Sequence, residues 1–163
     1  TDAPCEACPD LLVDAPFFGS TSCKSHVEGN ATEKAVLQEI YARTNGTNWI
    51  TRTNWNSDKN ICAWFGVVCG ESGVTELNLE SNGLQASGDV STTFFSLRHL
   101  EKLDIKGNKV PLDLRKLQDG NNLQSLKISA TGLKSIEGLT KASNMRRLHI
   151  TDNDLTGPFP QDL

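Results

Sequence analysis

The chain has 163 residues, of which 37% are hydrophobic, and a formal net charge of −4. This length fits a single domain, and the apolar fraction argues against disorder. No run of about 18 apolar residues occurs, so no membrane insertion is predicted; an acidic chain without a basic stripe also argues against a nucleic-acid partner.

Residues 1–28 are predicted to form an irregular extension that is held by its cysteines. Cys5, Cys8, Cys23 and His26 follow the pattern C-x2-C-x14-C-x2-H, which is acceptable spacing for a zinc site. The alternative is a disulfide from Cys23 to Cys8 or to Cys5. We favour the disulfide, with Cys8 and Cys23 as candidate residues and Cys5 as the other possible partner of Cys23, and predict no metal, because other features indicate an oxidising compartment.

Those features are five cysteines and two N-glycosylation sequons, which predict glycans on Asn30 and Asn45. Together they favour a secreted, disulfide-bearing protein. The first four residues have no charged segment followed by an apolar one, and we interpret them as a mature N-terminus after removal of a signal peptide.

A helix is predicted next, as the start of an N-terminal cap over residues 29–73. Asn30 and Glu33 have the spacing of a capping box, and Thr32 is a competing N-cap. The helix is expected to end at the segment Thr44-Asn45-Gly46. Its apolar face comprises Val36, Leu37, Ile40 and Tyr41.

Four copies of the pattern L-x-x-L-x-L-x-x-N-x-L, with some substitutions, occupy residues 74–163, the last copy being incomplete. Their second apolar positions, at 77, 103, 126 and 148, are separated by 26, 23 and 22 residues. Such intervals are typical of leucine-rich repeats. The predicted fold is therefore an α/β solenoid with a short parallel sheet on its concave face, preceded by a helical cap.

An asparagine follows the strand in three of the four copies, at Asn82, Asn108 and Asn153. Its amide can satisfy backbone groups inside the turn and form a ladder from repeat to repeat. The third copy has Thr131 at this position. Because a hydroxyl serves fewer partners, a local weak point is expected there.

The outward-facing strand positions form a surface that the repeat register defines. Glu76 is predicted to pair with Lys102, and Glu80 with Lys106, across neighbouring strands. The face is thus balanced near the cap and basic near the last strand, which favours an extracellular protein or an anionic glycan as ligand, with His149 adding pH sensitivity. The candidate ligand-binding residues are Lys102, Asp104, Lys106, Lys127, Arg147 and His149.

No catalytic constellation is apparent, and no cofactor is predicted. The chain has no G-x-S-x-G, H-E-x-x-H or phosphate-binding loop. The triplet Asp152-Asn153-Asp154 has the form of the start of a calcium loop, but it lacks the required glutamate. We therefore predict that the protein is not an enzyme.

The sequence stops at Leu163, part-way through the fourth repeat. Solenoids normally carry a cap at both ends. Two explanations follow: the chain is a fragment of a longer solenoid, or the edge formed by Ile150, Leu155 and Phe159 pairs with a second copy. The unpaired fifth cysteine offers a second route to a homodimer.

From Ala35 onward the sequence resembles extracellular leucine-rich-repeat proteins of plants, and more closely those of algae, diatoms and oomycetes. The resemblance is carried by Trp49, Trp55 and the motif Cys62-Ala63-Trp64-Phe65-Gly66-Val67-Val68-Cys69, which matches C-x-W-x-G-V-x-C. It implies a disulfide between Cys62 and Cys69, and that Trp64 and Val67 cover the open end of the first repeat.

The expected function is non-catalytic extracellular recognition or adhesion, as a receptor-like ectodomain or a secreted repeat protein. Two alternatives remain. One is an inhibitor of a secreted polysaccharide-degrading enzyme, which some plant proteins of this architecture are; the other is a structural component of a cell wall or matrix.

Overall fold

The computed structural model describes residues 21–156, with side chains from residue 31 onward. Helix α1 spans Thr21–Arg43 and a one-turn helix, α2, spans Ser91–Phe95. The chain has five described strands, of which the first lies in the cap: β1 at Val67–Gly70, β2 at Gly73–Asn78, β3 at Lys102–Asp104, β4 at Ser125–Lys127 and β5 at Arg147–His149. Within the described residues, no helix has both the length and the apolar character needed to cross a membrane.

The five strands form one sheet in chain order, and the predicted parallel solenoid is confirmed. Strands β2 to β5 are parallel, with Leu77, Leu103, Leu126 and Leu148 in register. The first three of these leucines are fully buried, and Leu148 is partly buried. One coil is too thin to bury its apolar face alone, so each coil is stabilised by its neighbours.

Helix α1 begins earlier than the sequence predicted. The capping positions around Asn30 and Thr32 lie inside the helix, and residues 21–28, expected to be irregular, are helical. From Thr21 to Asn30 the sequence contains no Pro, and Gly29 is its one Gly. The capping pattern therefore marked an allowed helix start and not the actual one. The predicted apolar face is correct: Leu37 and Ile40 are fully buried.

Glu33 joins helix α1 to the first repeat. Its carboxylate is buried, and both of its oxygens accept the backbone N–H of Val74 at 3.1 Å. Gly73 has a φ of +141°, and a side chain there would overlap this carboxylate. The residue expected to cap the helix therefore fixes the start of β2.

Four aromatic rings form the core of the cap. The rings of Tyr41, Trp49, Trp55 and Trp64 contact one another with centroids 4.8–6.0 Å apart. The Trp49 indole N–H donates to the Thr44 carbonyl at 3.0 Å, so a polar group that would be costly to bury is satisfied. This cluster is the apolar wall against which the first coil packs.

Strand β1 was not predicted from the sequence. It runs antiparallel to β2 and pairs Val67 with Leu77 and Val68 with Glu76. The implied disulfide is present: Cys62 is bonded to Cys69, with Cα atoms 5.6 Å apart. It ties the short helical turn at Ile61–Ala63 to β1 and thereby closes the cap over the first repeat.

Asn108 makes five hydrogen bonds with its side chain. Its Oδ1 accepts the backbone N–H groups of Asn82 at 3.1 Å and Leu84 at 2.9 Å. Its Nδ2 donates to the carbonyl oxygens of Leu79, Ile105 and Lys106, at 2.8, 2.8 and 3.3 Å. One buried amide thus links the turn of its own coil to the turn of the preceding coil.

Asn153 acts in the same way on the third coil. Its Oδ1 accepts the backbone N–H groups of residues 131, 132 and 133 at 3.0–3.1 Å. Asn82 instead bonds both polar backbone groups of Thr51, at 2.7 and 2.8 Å. The first asparagine therefore attaches the cap, while the later ones attach successive coils.

Thr131 interrupts this series. In the described part of the chain its hydroxyl bonds the Ile128 carbonyl at 2.8 Å and Asn153 Oδ1 at 3.3 Å, and it makes no bond back to the second coil. At this turn the second and third coils are therefore joined without a side-chain amide. The amides that do join these coils lie in the segments before β4 and β5, where Asn121 donates to the Lys141 carbonyl at 3.1 Å and Asn144 to the Asn121 carbonyl at 3.0 Å.

We expect Thr131→Asn to raise the free energy of unfolding by about 1 kcal/mol, because the new amide can reach the second coil as Asn108 reaches the first. Asn108→Ala should lower it by at least about 3 kcal/mol, since several buried backbone groups lose their partners. Urea unfolding with the disulfide intact measures both.

Asn122→Ala is the matched control. Asn122 is exposed and donates one hydrogen bond, at 3.0 Å, to the Arg98 carbonyl, so a change below about 1 kcal/mol is expected. A Thr131→Asn variant that is less stable than the parent chain would contradict this account of the interruption.

Candidate ligand-binding face

The outward side of the sheet consists of rows that cross the strands. Pairing places Glu76 beside Lys102, Lys102 beside Ser125, and Ser125 beside Arg147. The next row contains Asn78, Asp104, Lys127 and His149. These rows are the ones that the repeat spacing predicted.

Two ion pairs on this face join the first coil to the second, one between β2 and β3 and one between the residues that follow these strands. Lys102 Nζ pairs with Glu76, and Lys106 Nζ lies 3.3 Å from Glu80 Oε1. Each of these four side chains is one-third to one-half exposed. Pairs of this kind contribute little to stability, but they leave the cap half of the face without uncompensated charge.

Asp104, one of the predicted ligand-binding residues, is almost completely buried, so a ligand on the face cannot reach its carboxylate directly. Only 8% of its side chain is exposed, and Lys127 Nζ lies 2.8 Å from its Oδ2. The hydrogen bond to Asp104 is the main cause that raises the pKa of Lys127 above its ordinary value. Asp104 therefore holds Lys127 in place, and Lys127 is largely neutralised.

Arg147 and His149 on β5 are exposed. In residues 31–156 neither has an ion-pair partner. The positive charge expected at this end of the face therefore reduces to Arg147, with His149 two residues away on the same strand face.

Strand β1 extends the face by one residue that sequence reasoning missed. Val68 is opposite Glu76, and directly opposed residues share a face. Its side chain is 48% exposed. The sequence signal for this strand was the pair of β-branched residues Val67 and Val68, which show no alternation of apolar and polar residues and repeat no pattern.

The predicted glycosylation sites and N-terminal cysteines lie partly outside the residues whose side chains the structure describes. Asn45 is exposed in a left-handed conformation with a φ of 61°, directly after α1. Asn30 and Cys23 lie on α1, where side chains are not described, and Cys8 lies outside the described residues, as does Phe159. The described side chains contain no cluster of three or more His, Cys, Asp or Glu suited to a metal.

Comparison with known proteins identifies the architecture. No protein-family profile matches the sequence. BRASSINOSTEROID INSENSITIVE 1 of Arabidopsis thaliana is 28% identical over 110 residues, which cover 64% of this chain and 9% of that protein. Leucine-rich-repeat receptor-like kinases of plants are also among the curated relatives. The chain spans less than a tenth of the length of the first curated relatives it matches.

Solved structures agree on the fold. The complex PEPR1–AtPEP1 superposes with a TM-score of 0.61 at 19% identity, covering 79% of this chain and 19% of that one. The leucine-rich-repeat ectodomain of the receptor kinase GASSHO1/SCHENGEN3 from Arabidopsis thaliana, in complex with CASPARIAN STRIP INTEGRITY FACTOR 2, has a TM-score of 0.53 at 25% identity. That match covers 78% of this chain and 19% of that one. The chain is thus a leucine-rich-repeat solenoid.

We expect Lys127→Met to lower the free energy of unfolding by about 2 kcal/mol at pH 7, because Asp104 then stays buried without its cation; part of the full cost is screened, since Lys127 is 39% exposed. In the parent chain the contribution of the pair is complete at pH 7, well below the pKa of about 10.4 that lysine has in an unfolded chain. It is lost as the pH rises through the raised pKa of Lys127. Urea unfolding between pH 7 and 12 measures both effects.

Lys106→Met provides the comparison for this experiment. Its partner Glu80 is half-exposed, so the loss should stay below about 1 kcal/mol. Equal losses in the two variants would show that burial of Asp104 has no special effect.

Proposed function

We propose that the protein is a non-catalytic extracellular recognition module that binds a protein or peptide through the outward face of its sheet. The observation that carries this proposal is the row geometry. Five strands display side chains at fixed spacing, and one end retains an exposed cation, Arg147, that has no ion-pair partner among the described residues. A rigid, largely preformed surface of this kind lowers the entropic cost of binding.

Two further observations support the same function. The described residues contain a cap disulfide and an exposed sequon asparagine, Asn45, and such features belong to oxidising compartments. The relatives include receptor-like kinases, and one structural neighbour is a receptor ectodomain captured with a partner. We therefore propose that the chain is extracellular and that its cap is of the plant type, with algal, diatom and oomycete proteins as expected relatives.

Affinity capture tests the proposal. The immobilised glycosylated chain is exposed to extracellular proteins and peptides from its source, and the retained polypeptides are identified by mass spectrometry. The double variant Arg147→Ser/His149→Ser should lose most of the specifically retained material, because it removes the exposed positive charge of the face.

Arg98→Ser/His99→Ser is the matched control, since both residues are exposed and lie in the connection before β3, so neither belongs to the rows of paired strand residues. Capture that is unchanged in the face variant, or lost equally in the control, would contradict the proposal. Retention of a secreted polysaccharide-degrading enzyme with loss of its activity would instead support the inhibitor alternative.

A further inference from the structure

A groove lies among the segments that connect the strands, and none of its lining residues belongs to a strand. It has a volume of about 270 Å³. Three successive coils line it: the first through Asp89, the second through Pro111 and Leu112, and the third through Lys134 and Ser135. The groove is therefore separate from the outward face of the sheet.

The groove lies at a change in how neighbouring coils are connected. After the turn of the first coil, the Ala86 N–H donates to a carbonyl oxygen of the second coil at 2.9 Å. In the fourth coil, the Thr156 N–H donates to the Lys134 carbonyl of the third coil at 2.9 Å. Within residues 31–156, no backbone hydrogen bond joins segment 110–113 of the second coil to segment 132–135 of the third, and the groove occupies this gap.

Asp89 is the anionic end of the groove. It is exposed, and its Oδ1 accepts hydrogen bonds from the backbone N–H of Ser91, at 2.9 Å, and from the Ser91 hydroxyl. The same hydroxyl accepts the Asp113 N–H at 2.6 Å, so the carboxylate is tied to the second coil. Asp89 has no ion pair with any described side chain, which leaves its second oxygen for a cation that a ligand supplies.

Lys134 is the cationic end. Its carbonyl is held by the fourth coil, but the residue is exposed, and its Nζ has no ion-pair partner in the part of the chain that the structure describes. The neighbouring Ser135 hydroxyl accepts the Glu137 N–H at 3.1 Å and can donate one bond as well. An ammonium and a hydroxyl at this end suit a carboxylate.

The other two charged residues that line the groove neutralise each other. Arg115 donates from Nε to Asp113 Oδ1 at 2.9 Å and from its terminal nitrogen to Oδ2 at 3.0 Å. This side-chain hydrogen bonding is the main cause that lowers the pKa of Asp113 and raises the pKa of Arg115. Because the pair is satisfied within the chain, Asp89 and Lys134 are the charges that a ligand can use.

Size and the order of charges define the ligand. At about 30 Å³ for each water-sized group, the groove holds about nine non-hydrogen atoms. Its two available charges lie on the first and third coils, whose strands are about 10 Å apart, and the second coil places Pro111 and the buried Leu112 between them. An α-amino acid has both charges at one end, whereas an ω-amino acid such as 6-aminohexanoate has them at opposite ends of an aliphatic chain of this size.

We propose that this groove binds a small aliphatic zwitterion, with its ammonium on Asp89, its chain along Pro111 and Leu112, and its carboxylate on Lys134. The inference goes beyond the proposed function, since it assigns a second site that shares no residue with the outward face. A free ω-amino acid has this chemistry, and so does a lysine at the carboxyl end of a polypeptide, whose side-chain ammonium and terminal carboxylate are similarly spaced.

Titrations of the isotope-labelled chain, followed by amide NMR, test the need for both charges. The main probe is 6-aminohexanoate, and hexylamine and hexanoate are its controls, since each lacks one of the two charges. We expect 6-aminohexanoate to shift the amide signals of groove residues and to bind about tenfold more tightly than either control, which loses one charge-assisted hydrogen bond. An N-acetylated Gly-Gly-Lys peptide separates the two sources: it binds as 6-aminohexanoate does if the groove accepts chain ends, and its failure to bind assigns the groove to the free acid.

Variants test the two ends separately. Lys134→Met keeps the length of the side chain but removes its charge, so it should weaken 6-aminohexanoate binding about tenfold and leave hexylamine binding unchanged. Asp89→Asn keeps an oxygen that can accept from Ser91, and it should weaken 6-aminohexanoate binding while hexanoate binding stays the same. The matched control is Lys116→Met, since Lys116 is exposed on the second coil and does not line the groove; it should leave the binding of every probe unchanged. Circular dichroism checks that each variant is folded.

Three results would overturn the proposal. The first is equal affinity for 6-aminohexanoate, hexylamine and hexanoate, and the second is an absence of binding up to about 10 mM. The third is a loss in Lys116→Met as large as that in Lys134→Met, which would reveal a non-specific attraction to surface charge. None of these results bears on the outward face, whose capture experiment depends on Arg147 and His149.

Discussion

The backbone turns out of the sheet at the end of each strand, and its N–H and C=O groups there need partners inside a narrow coil. An asparagine side chain follows β2, β3 and β5 and supplies many of these partners. Asn108 and Asn153 each accept N–H groups from the coil before and donate to carbonyl oxygens of both coils. The leucines in register give the coils their attraction, but they do not specify how one turn sits on the next. The amide does, because its donors and acceptors are satisfied in only one relative position. The outward rows depend on that position, and so does every distance across the face.

The cap solves a related problem at the other end. A solenoid needs a wall over its first apolar layer, and here the wall consists of four aromatic rings, a buried carboxylate and one antiparallel strand. Asn108 bonds backbone groups of the coil before it, and Asn82, which has no coil before it, bonds the backbone of Thr51 in the cap instead. The cap is thus bonded to the solenoid through the same side-chain position that links the coils to one another.

Much of this could be predicted from the sequence because the relevant signals are periodic. The strand register, the inward leucines and the pairing of Glu76 with Lys102 all follow from repeat spacing alone. Single features were harder. The start of α1 was misjudged because a capping pattern permits a helix start without requiring one, and Glu33 found its partner in Val74, which is 41 residues away. Asp104 was counted as available to a ligand because strand alternation gives direction but not depth, and Lys127 covers it. Strand β1 was missed because it lies outside the repeats and forms through pairing with β2.

The antiparallel direction of β1 gives the sheet a fixed beginning. A strand that runs against its neighbour cannot serve as the template for another parallel coil, so a duplicated coil can join this sheet only beyond β2. A coil inserted between β2 and β5 would add one strand to the sheet. It would increase the distance between Val68 on β1 and Arg147 on β5 by about 4.8 Å, the spacing of neighbouring strands. The number of coils therefore sets the distance between the first and the last strand, and with it the length of the surface that the sheet presents.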